Sequence, residues 1–282
     1  MSYIELKDVR FKYEFGNDEV LKGLSLSIEK GEYVVITGKT SAGKSTLSYC
    51  LNGLIPLSVD GRFRGSIRIN DVNVKEAKIG DIAKQVGIVF QNPESQIYGL
   101  SVEEDIVFAL ENFGFDNQTI KERIDWALKA VDMEGYLLRS PFDLSGGQKQ
   151  RVIIASVLAL QPDIIVLDEP TAEIDPQGKS EILRILRKLN QQHNITIVLV
   201  EHDMERIIDV ADRVIVMHEG KVEIDGTPKS VFQNVPRLKE LGVKIPPVCE
   251  LFQLLKDEGR YRGMIPVTLD EAAAIIGGVQ RD

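Results

Sequence analysis

Eight residues, Gly38-Lys39-Thr40-Ser41-Ala42-Gly43-Lys44-Ser45, confine this chain to a narrow set of folds. They follow a short apolar run, Tyr33–Thr37, and open onto Lys44–Asn52, a stretch able to wind as a helix. Strand, glycine-bearing loop and helix, in that order, form the context in which the spacing G-x-x-x-x-G-K-[ST] cradles phosphate. The glycines let the backbone approach an anion closely, and successive N–H groups at the helix N-terminus present partial positive charge. In this frame Lys44 reaches the outer phosphates, Ser45 offers an oxygen to Mg²⁺, and Thr46 continues the first turn.

The rest of the chain supplies the sheet that such a loop requires. Ile164–Leu167, Ile195–Val200 and Val214–Met217 read as buried strands, with Pro176–Asn190 and Asp203–Ala211 as helices between them. This alternation predicts an α/β fold with a mainly parallel sheet. Ile4, Leu6, Val9 and Phe11, then Leu24, Leu26 and Ile28, are spaced for half-buried antiparallel strands in a small N-terminal sheet. From about residue 92 to 160 the pattern turns helical, with Ile124, Ala127, Leu128 and Val131 on one face, which predicts a helical lobe inserted into the core. Pro228, Pro236, Pro246, Pro247 and Pro266 break the end of the chain into short pieces. The expected organisation is a nucleotide-binding domain over residues 1–240 and an appendage of small helices over 241–282.

Two further segments carry chemistry. Ile164–Leu167 ends in Asp168-Glu169, an acidic pair that alone reads as a solvated turn or a helix cap. Beside a phosphate loop, the strand and its acidic end resemble a Walker B segment, and that resemblance implies Asp168 as a cation ligand and Glu169 as the base. In Leu144-Ser145-Gly146-Gly147-Gln148, Ser145 can cap a helix that begins near Gly146, and the two glycines leave N–H groups open to an anion. That makes a second phosphate receptor.

The loop, the Leu144–Gln148 segment and the acidic strand end, in this order, resemble the nucleotide-binding subunit of ATP-binding cassette (ABC) proteins, from about Ile4 to Val231. The resemblance implies a P-loop ATPase that uses ATP and Mg²⁺. Two such chains would close face to face, each nucleotide clasped by the Gly38–Thr46 loop of one chain and Ser145, Gly146, Gly147 and Gln148 of the other. It assigns Asp168 to the Mg²⁺ shell, Glu169 to the attacking water, and His202, just after Ile195–Val200, to the γ-phosphate. Tyr13 matches the aromatic that stacks on adenine, and Gln91 the glutamine that senses Mg²⁺ and links core to lobe. Asp175 matches the aspartate that communicates across the dimer, although Ile174 stands where leucine is usual. Taken alone, Tyr13 reads as an ordinary core or surface tyrosine, His202 as a structural histidine, and Asp175 as an N-cap before Pro176. His193 and His218 read as surface residues.

Gln91–Ile97, Ser101–Phe108, Leu51–Pro56 and Val267–Ala272 resemble the ATPases of energy-coupling factor (ECF) transporters, including those for cobalt, nickel and vitamins. That likeness implies a homo- or heterodimer at the cytoplasmic face of the cell membrane, peripheral to it. Its partners would be a transmembrane coupling protein and, through it, a substrate-capture membrane protein. Glu94 is expected to receive a basic helix of the coupling protein, and Leu251, Leu254 and Leu255 to support the dimer or cover the core. Another importer class, or a soluble ABC ATPase acting on DNA or ribosomes, is the rival reading; Ser45–Leu144 lacks the heptads of a long coiled coil. A net charge of −9 with no basic run disfavours nucleic acid as a partner. Cys50 and Cys249 show no metal-ligand spacing and give no disulfide framework. Met1–Glu5 lacks the pattern of a secretory signal, and the longest apolar stretch, Val152–Leu160, falls short of the roughly 20 residues that span a bilayer.

Overall fold

Side chains on a strand alternate between its two faces, and in this chain both faces of the central strands are apolar. The computed structural model describes residues 2–172, 174–205 and 207–279. Its strands are β1 (Ser2–Tyr13), β2 (Leu21–Glu29), β3 (Tyr33–Gly38), β4 (Gly61–Ile69), β5 (Val72–Asn73), β6 (Val86–Val89), β7 (Ile164–Asp168), β8 (Thr196–Val200), β9 (Arg213–His218) and β10 (Lys221–Gly226). The main sheet has the order β10-β9-β3-β8-β7-β6 and is parallel except for β10. A second, antiparallel sheet has the order β2-β1-β4-β5.

The two-residue period splits the main sheet cleanly between two cores. Tyr33, Val35, Ile165, Leu167, Ile197, Leu199, Val214 and Val216 enter one core. Their neighbours Val34, Ile36, Ile164, Val166, Val198, Val200, Ile215 and Met217 enter the other, shared with the antiparallel sheet and with helix α1 (Lys44–Leu51). Strands buried on both faces lose the polar alternation of a surface strand, which is why they read as continuous apolar runs.

Short helices α2 (Leu54–Leu57) and α3 (Ile79–Ala83) flank the second core. The lobe comprises α4 (Val102–Asn112), α5 (Asn117–Ala130) and α6 (Gly146–Ala159). Ser101 caps α4 by accepting from Glu104 N–H, and Asp116 caps α5 by accepting from Gln118 and Thr119. The apolar stripes of all three helices join the first core. Helix α7 (Pro176–His193) buries Ile182, Ile185, Leu186 and Leu189 and ends at Asn194, whose φ of 54° forms a left-handed cap.

Asp203–Ala211, expected as a helix, forms successive turns instead among its described residues. Met204 O accepts from both Ile207 and Ile208, and Ile207 O from both Val210 and Ala211. The β-branched side chains of Ile207, Ile208 and Val210 favour helix weakly, and shared carbonyls replace a regular ladder. After β10 come α8 (Pro228–Val231), α9 (Val235–Glu240), α10 (Pro247–Asp257) and α11 (Leu269–Val279). Phe232, Leu238, Leu241, Phe252 and Ile265 belong to the first core, so apolar packing runs continuously across residue 240. Leu251 and Leu254 are exposed at 48% and 60%. Among the described residues, no helix is long and apolar enough to cross a membrane.

The β9–β10 hairpin links the fold to the phosphate loop. His218 pairs with Lys221 across a two-residue turn, and Glu219 and Gly220 have φ of 46° and 80°. Both values suit the tight turn whose twist matches its strands. Gly220 N–H donates to Ala42 O, and Gly220 O accepts from Lys22, each at 3.0 Å. A β-carbon on Gly220 would stand 2.2 Å from Val20 O, a backbone atom that cannot swing away. Gly220→Ala is therefore expected to cost about 1–3 kcal/mol, the usual range for forced overpacking. Urea unfolding should show a lower midpoint with an unchanged slope.

Candidate active site

The carboxyl ends of β3, β7 and β8 converge on a cleft of 560 Å³ lined by Val20, Thr40, Ser41, Gly43, Lys44, Ser45, Thr46, Gln91, Glu169 and His202. The loop reaches it through Gly38, where a β-carbon would lie 2.2 Å from Met217 O. Only glycine lets the end of β3 run this close to β9. Ala42 is buried, while Lys39 is exposed and lays its stem against Gly242 of the last segment, 3.2 Å from where a β-carbon there would sit.

Lys44 is 5% exposed and curls back, its Nζ donating to Gly38 O at 3.1 Å and Lys39 O at 3.2 Å. Burial lowers its pKa, while Glu169 and Asp168 pull the other way. Asp168, also 5% exposed, is hydrogen-bonded to Ser45, yet its Oδ1 has no protein partner. Burial raises its pKa, with Glu169 adding to the rise and Ser45, Lys44 and His202 opposing it. An orphaned carboxylate oxygen beside a serine hydroxyl is the donor chemistry a hard cation takes. Among the described residues no three His, Cys, Asp or Glu side chains cluster to hold a metal. A cation here would draw the rest of its shell from phosphate and water, as Mg²⁺ commonly does.

Glu169 sits with φ at 49°, a left-handed conformation uncommon outside glycine, and its N–H donates to Val200 O at 3.0 Å. One carboxylate oxygen lies 2.9 Å from His202 Nε2, and the other accepts from Gln91 Nε2 at 3.2 Å. Residues 78 and 33 positions away in the chain thus meet at one carboxylate. Tyr13 stands beside the loop, its hydroxyl 3.0 Å from Thr46 Oγ1 and its ring edge-on to Phe11, but it is not among the residues lining the cleft. Val20 does line it and carries no signal in the sequence. Its place is set by Val20 N–H donating to Phe11 O at 2.8 Å, a consequence of how β1 meets β2.

The remaining expected residues gather elsewhere. Ser145 Oγ accepts from Gln148 N–H at 3.3 Å and Gln148 Oε1 accepts from Ser145 N–H at 2.9 Å, a reciprocal cap on α6. Ser145 and Gly146 are exposed, and Gln148 Nε2 donates to Tyr136 at 3.1 Å. Ile174 lies against both Gly147 and Gly178. Asp175 caps α7, accepting from Gln177 and Gly178, as its N-cap reading anticipates. None of Ser145, Gly146, Gly147, Gln148 and Asp175 lines the cleft. Glu94 is not a free acid: Lys149 Nζ pairs with it at 2.9 Å and draws its pKa down.

A glycine-bearing loop feeding a helix at the end of a parallel strand, with a carboxylate pair at the end of β7, one strand beyond β8 in the same sheet, and a separate serine-capped helix start, defines an ATP-binding cassette ATPase. A family model described as ABC transporter matches residues 21–172. The chain belongs to that family, and it is an ATP-hydrolysing enzyme. It is 43% identical over 262 residues to the energy-coupling factor transporter ATP-binding protein EcfA1 of Listeria monocytogenes, covering 93% of this chain and 92% of that protein. The EcfA1 of Caldanaerobacter subterraneus is 45% identical over 260 residues, covering 91% and 92%. Among solved structures, CbiO1 from Clostridium perfringens, described as part of the ABC transporter complex CbiONQ, aligns with a TM-score of 0.76 at 33% identity over 89% of this chain and 99% of that one. The ATP-binding cassette MJ0796, a dimer in a post-hydrolysis state bound to ADP and Pi, aligns at 0.68 and 29% identity over 80% and 98%.

Asp168 yields a prediction about charge. Its pKa is raised by folding, so ionisation subtracts stability: the full value is present below the unfolded pKa and is lost as pH rises through the folded one. Asp168→Asn should raise the unfolding temperature of the nucleotide-free protein near neutral pH, with the gain fading on acidification. The same variant should lose most of the stabilisation that Mg²⁺ and ATP give the wild type, as read by thermal unfolding with and without both.

Proposed function

We propose that this chain is the energy-coupling ATPase of an ECF-type importer for a metal ion or a vitamin, working as a dimer docked on a transmembrane coupling protein. The observation that carries the reading is the separation of the two phosphate-binding features. The Lys44, Glu169 and His202 cleft and the exposed Ser145–Gln148 helix start occupy different places on one chain. A second ATPase subunit, identical or related, completes each site by bringing its own Ser145–Gln148 segment to the nucleotide. The likeness to EcfA1 and CbiO1 supports the transporter class.

In this reading Lys44 leaves the carbonyls of Gly38 and Lys39 for the β- and γ-phosphates of ATP, exchanging neutral acceptors for charged ones. Glu169 takes the proton of the attacking water. His202 donates from Nε2 and holds that carboxylate in place, while Gln91 steadies its second oxygen and connects it to the lobe. Tyr13 meets the adenine. Ser45, Gln91 and Asp168 are the residues that would hold Mg²⁺, which supplies positive charge to the phosphate oxygens.

Docking falls to the surface beyond Gln91. Tyr98, Leu100, Phe108 and Leu138 are exposed apolar side chains, with the rings of Tyr98 and Phe108 6.4 Å apart. Such a patch suits burial against a partner. A basic helix arriving at Glu94 would compete with Lys149 for the same carboxylate. The subunit thereby sits at the cytoplasmic face of the membrane, held there by protein contacts.

Glu169→Gln is expected to retain ATP binding and to lower turnover by roughly 10²–10⁴-fold, the range for losing a positioned base. A near-normal rate in that variant contradicts the assignment. Copurification of the wild type with an integral membrane protein, lost on Tyr98→Arg or Phe108→Arg, tests the docking; purification with no membrane partner favours a soluble ATPase.

A further inference from the structure

Glu201 is a buried acid that neither phosphate-binding feature uses. It is 4% exposed, and its N–H donates to Ile36 O at 3.0 Å, fixing it beside the strand that feeds the phosphate loop. One carboxylate oxygen accepts from the hydroxyl of Thr171 and the other from the N–H of His202 at 3.2 Å. Thr171 is 3% exposed, and its carbonyl accepts from Ile174 N–H at 3.3 Å. Ile174 in turn lies against Gly147 and Gly178. Lys179, whose charge acts on Glu201, also pairs with Asp203 at 3.9 Å.

Burying a carboxylate is costly unless its oxygens are paired, and an apolar side chain would fill this space without that cost. The pairing therefore points to what the acid does. It joins the main chain that carries His202 to Thr171, whose carbonyl accepts from Ile174, the residue packed against the start of α6. Burial is the largest influence and leaves its pKa raised, with both hydrogen bonds opposing the rise.

We infer that Glu201 is a positioning residue for hydrolysis: it ties the main chain of His202 to Thr171, so that the placement of Thr171 is felt at the contact between His202 and Glu169. The inference rests on the reading of Glu169 as the base and His202 as its holder. A shift of the His202 main chain alters where the imidazole places that carboxylate, and misplacing a reacting group by about 1 Å can cost 10²-fold.

The test is steady-state ATP hydrolysis by the full-length protein in its purified assembly, for Glu201→Gln, Glu201→Leu, Thr171→Val and the Glu201→Leu, Thr171→Val double variant. Glutamine preserves both contacts, its carbonyl accepting from His202 N–H and its amide donating to the Thr171 hydroxyl. Glu201→Gln should stay within about threefold of wild-type kcat, whereas Glu201→Leu and Thr171→Val should each lose roughly 10- to 100-fold with KM for ATP little changed. The double variant should be no worse than Glu201→Leu, because both changes cut one connection. Unchanged kcat in Glu201→Leu, a glutamine variant as damaged as leucine, or losses that multiply in the double variant would overturn the inference. If Glu201→Leu fails to fold, Thr171→Val decides, and its retention of full kcat counts against the idea. Glu169→Gln measured alongside separates the two readings: rapid hydrolysis there removes the base assignment, whereas loss there with normal Glu201→Leu removes only the role of Glu201.

Discussion

A positive charge held out of water at the end of the parallel sheet sets the terms for the structure around it. Lys44 is almost wholly buried, and an ammonium in that position must find oxygen. It finds the carbonyls of Gly38 and Lys39, which requires the loop to curl over its own helix. The curl in turn requires a residue without a side chain where β3 passes Met217 O. Asp168 and Glu169 supply the opposing charge because β7 lies next to β8, and β8 next to β3, in the sheet. Strand order, glycine placement and carboxylate position are thus linked by one electrostatic demand. Asp168 Oδ1, beside this arrangement, is buried with no protein hydrogen-bond partner.

The helix start at Ser145–Gln148 meets a different condition. Ser145 and Gly146 are exposed, so its order comes from a cap rather than from burial. Ser145 and Gln148 satisfy each other, and Tyr136 holds the glutamine from the side. The reciprocal cap thereby satisfies N–H groups that the first turn of a helix otherwise leaves unpaired. Ile174 packs against this start and against α7, which places Asp175 on the same side of the chain as Ser145. The Ser145–Gln148 helix start and the phosphate-loop cleft therefore occupy different places on one chain.

Much of the fold was legible because burial on both faces leaves a plain mark. Tyr33–Ile36, Ile164–Leu167 and Val214–Met217 are apolar throughout since alternate residues enter one or the other of two cores. The phosphate loop was legible from its own spacing, and the cap at Ser145 from its hydroxyl three residues before Gln148. Family likeness gave Gln91, Glu169 and His202 separate roles, but their meeting at one carboxylate was not legible, because no local pattern reports a contact across 78 residues. Strands β4 and β10 went unseen: their exposed faces carry charged residues such as Arg62, Arg64 and Glu223, and their pairing depends on β1 and β9. Asp203–Ala211 misled because its apolar residues fit a helical spacing that β-branching and shared carbonyls do not sustain. Val20 and Glu201 were invisible for a common reason, since each owes its place to backbone contacts with another strand.

The ion pair between Glu94 and Lys149 gives the lobe a handle. Lys149 belongs to the first turn of α6, while Glu94 belongs to the segment just past Gln91. With 14 residues at about 1.5 Å each, α6 is a rod of about 21 Å whose apolar face is packed in the core. The ion pair fastens the start of that rod to the segment past Gln91, so a displacement of Glu94 is felt at the end of α6 that carries Ser145.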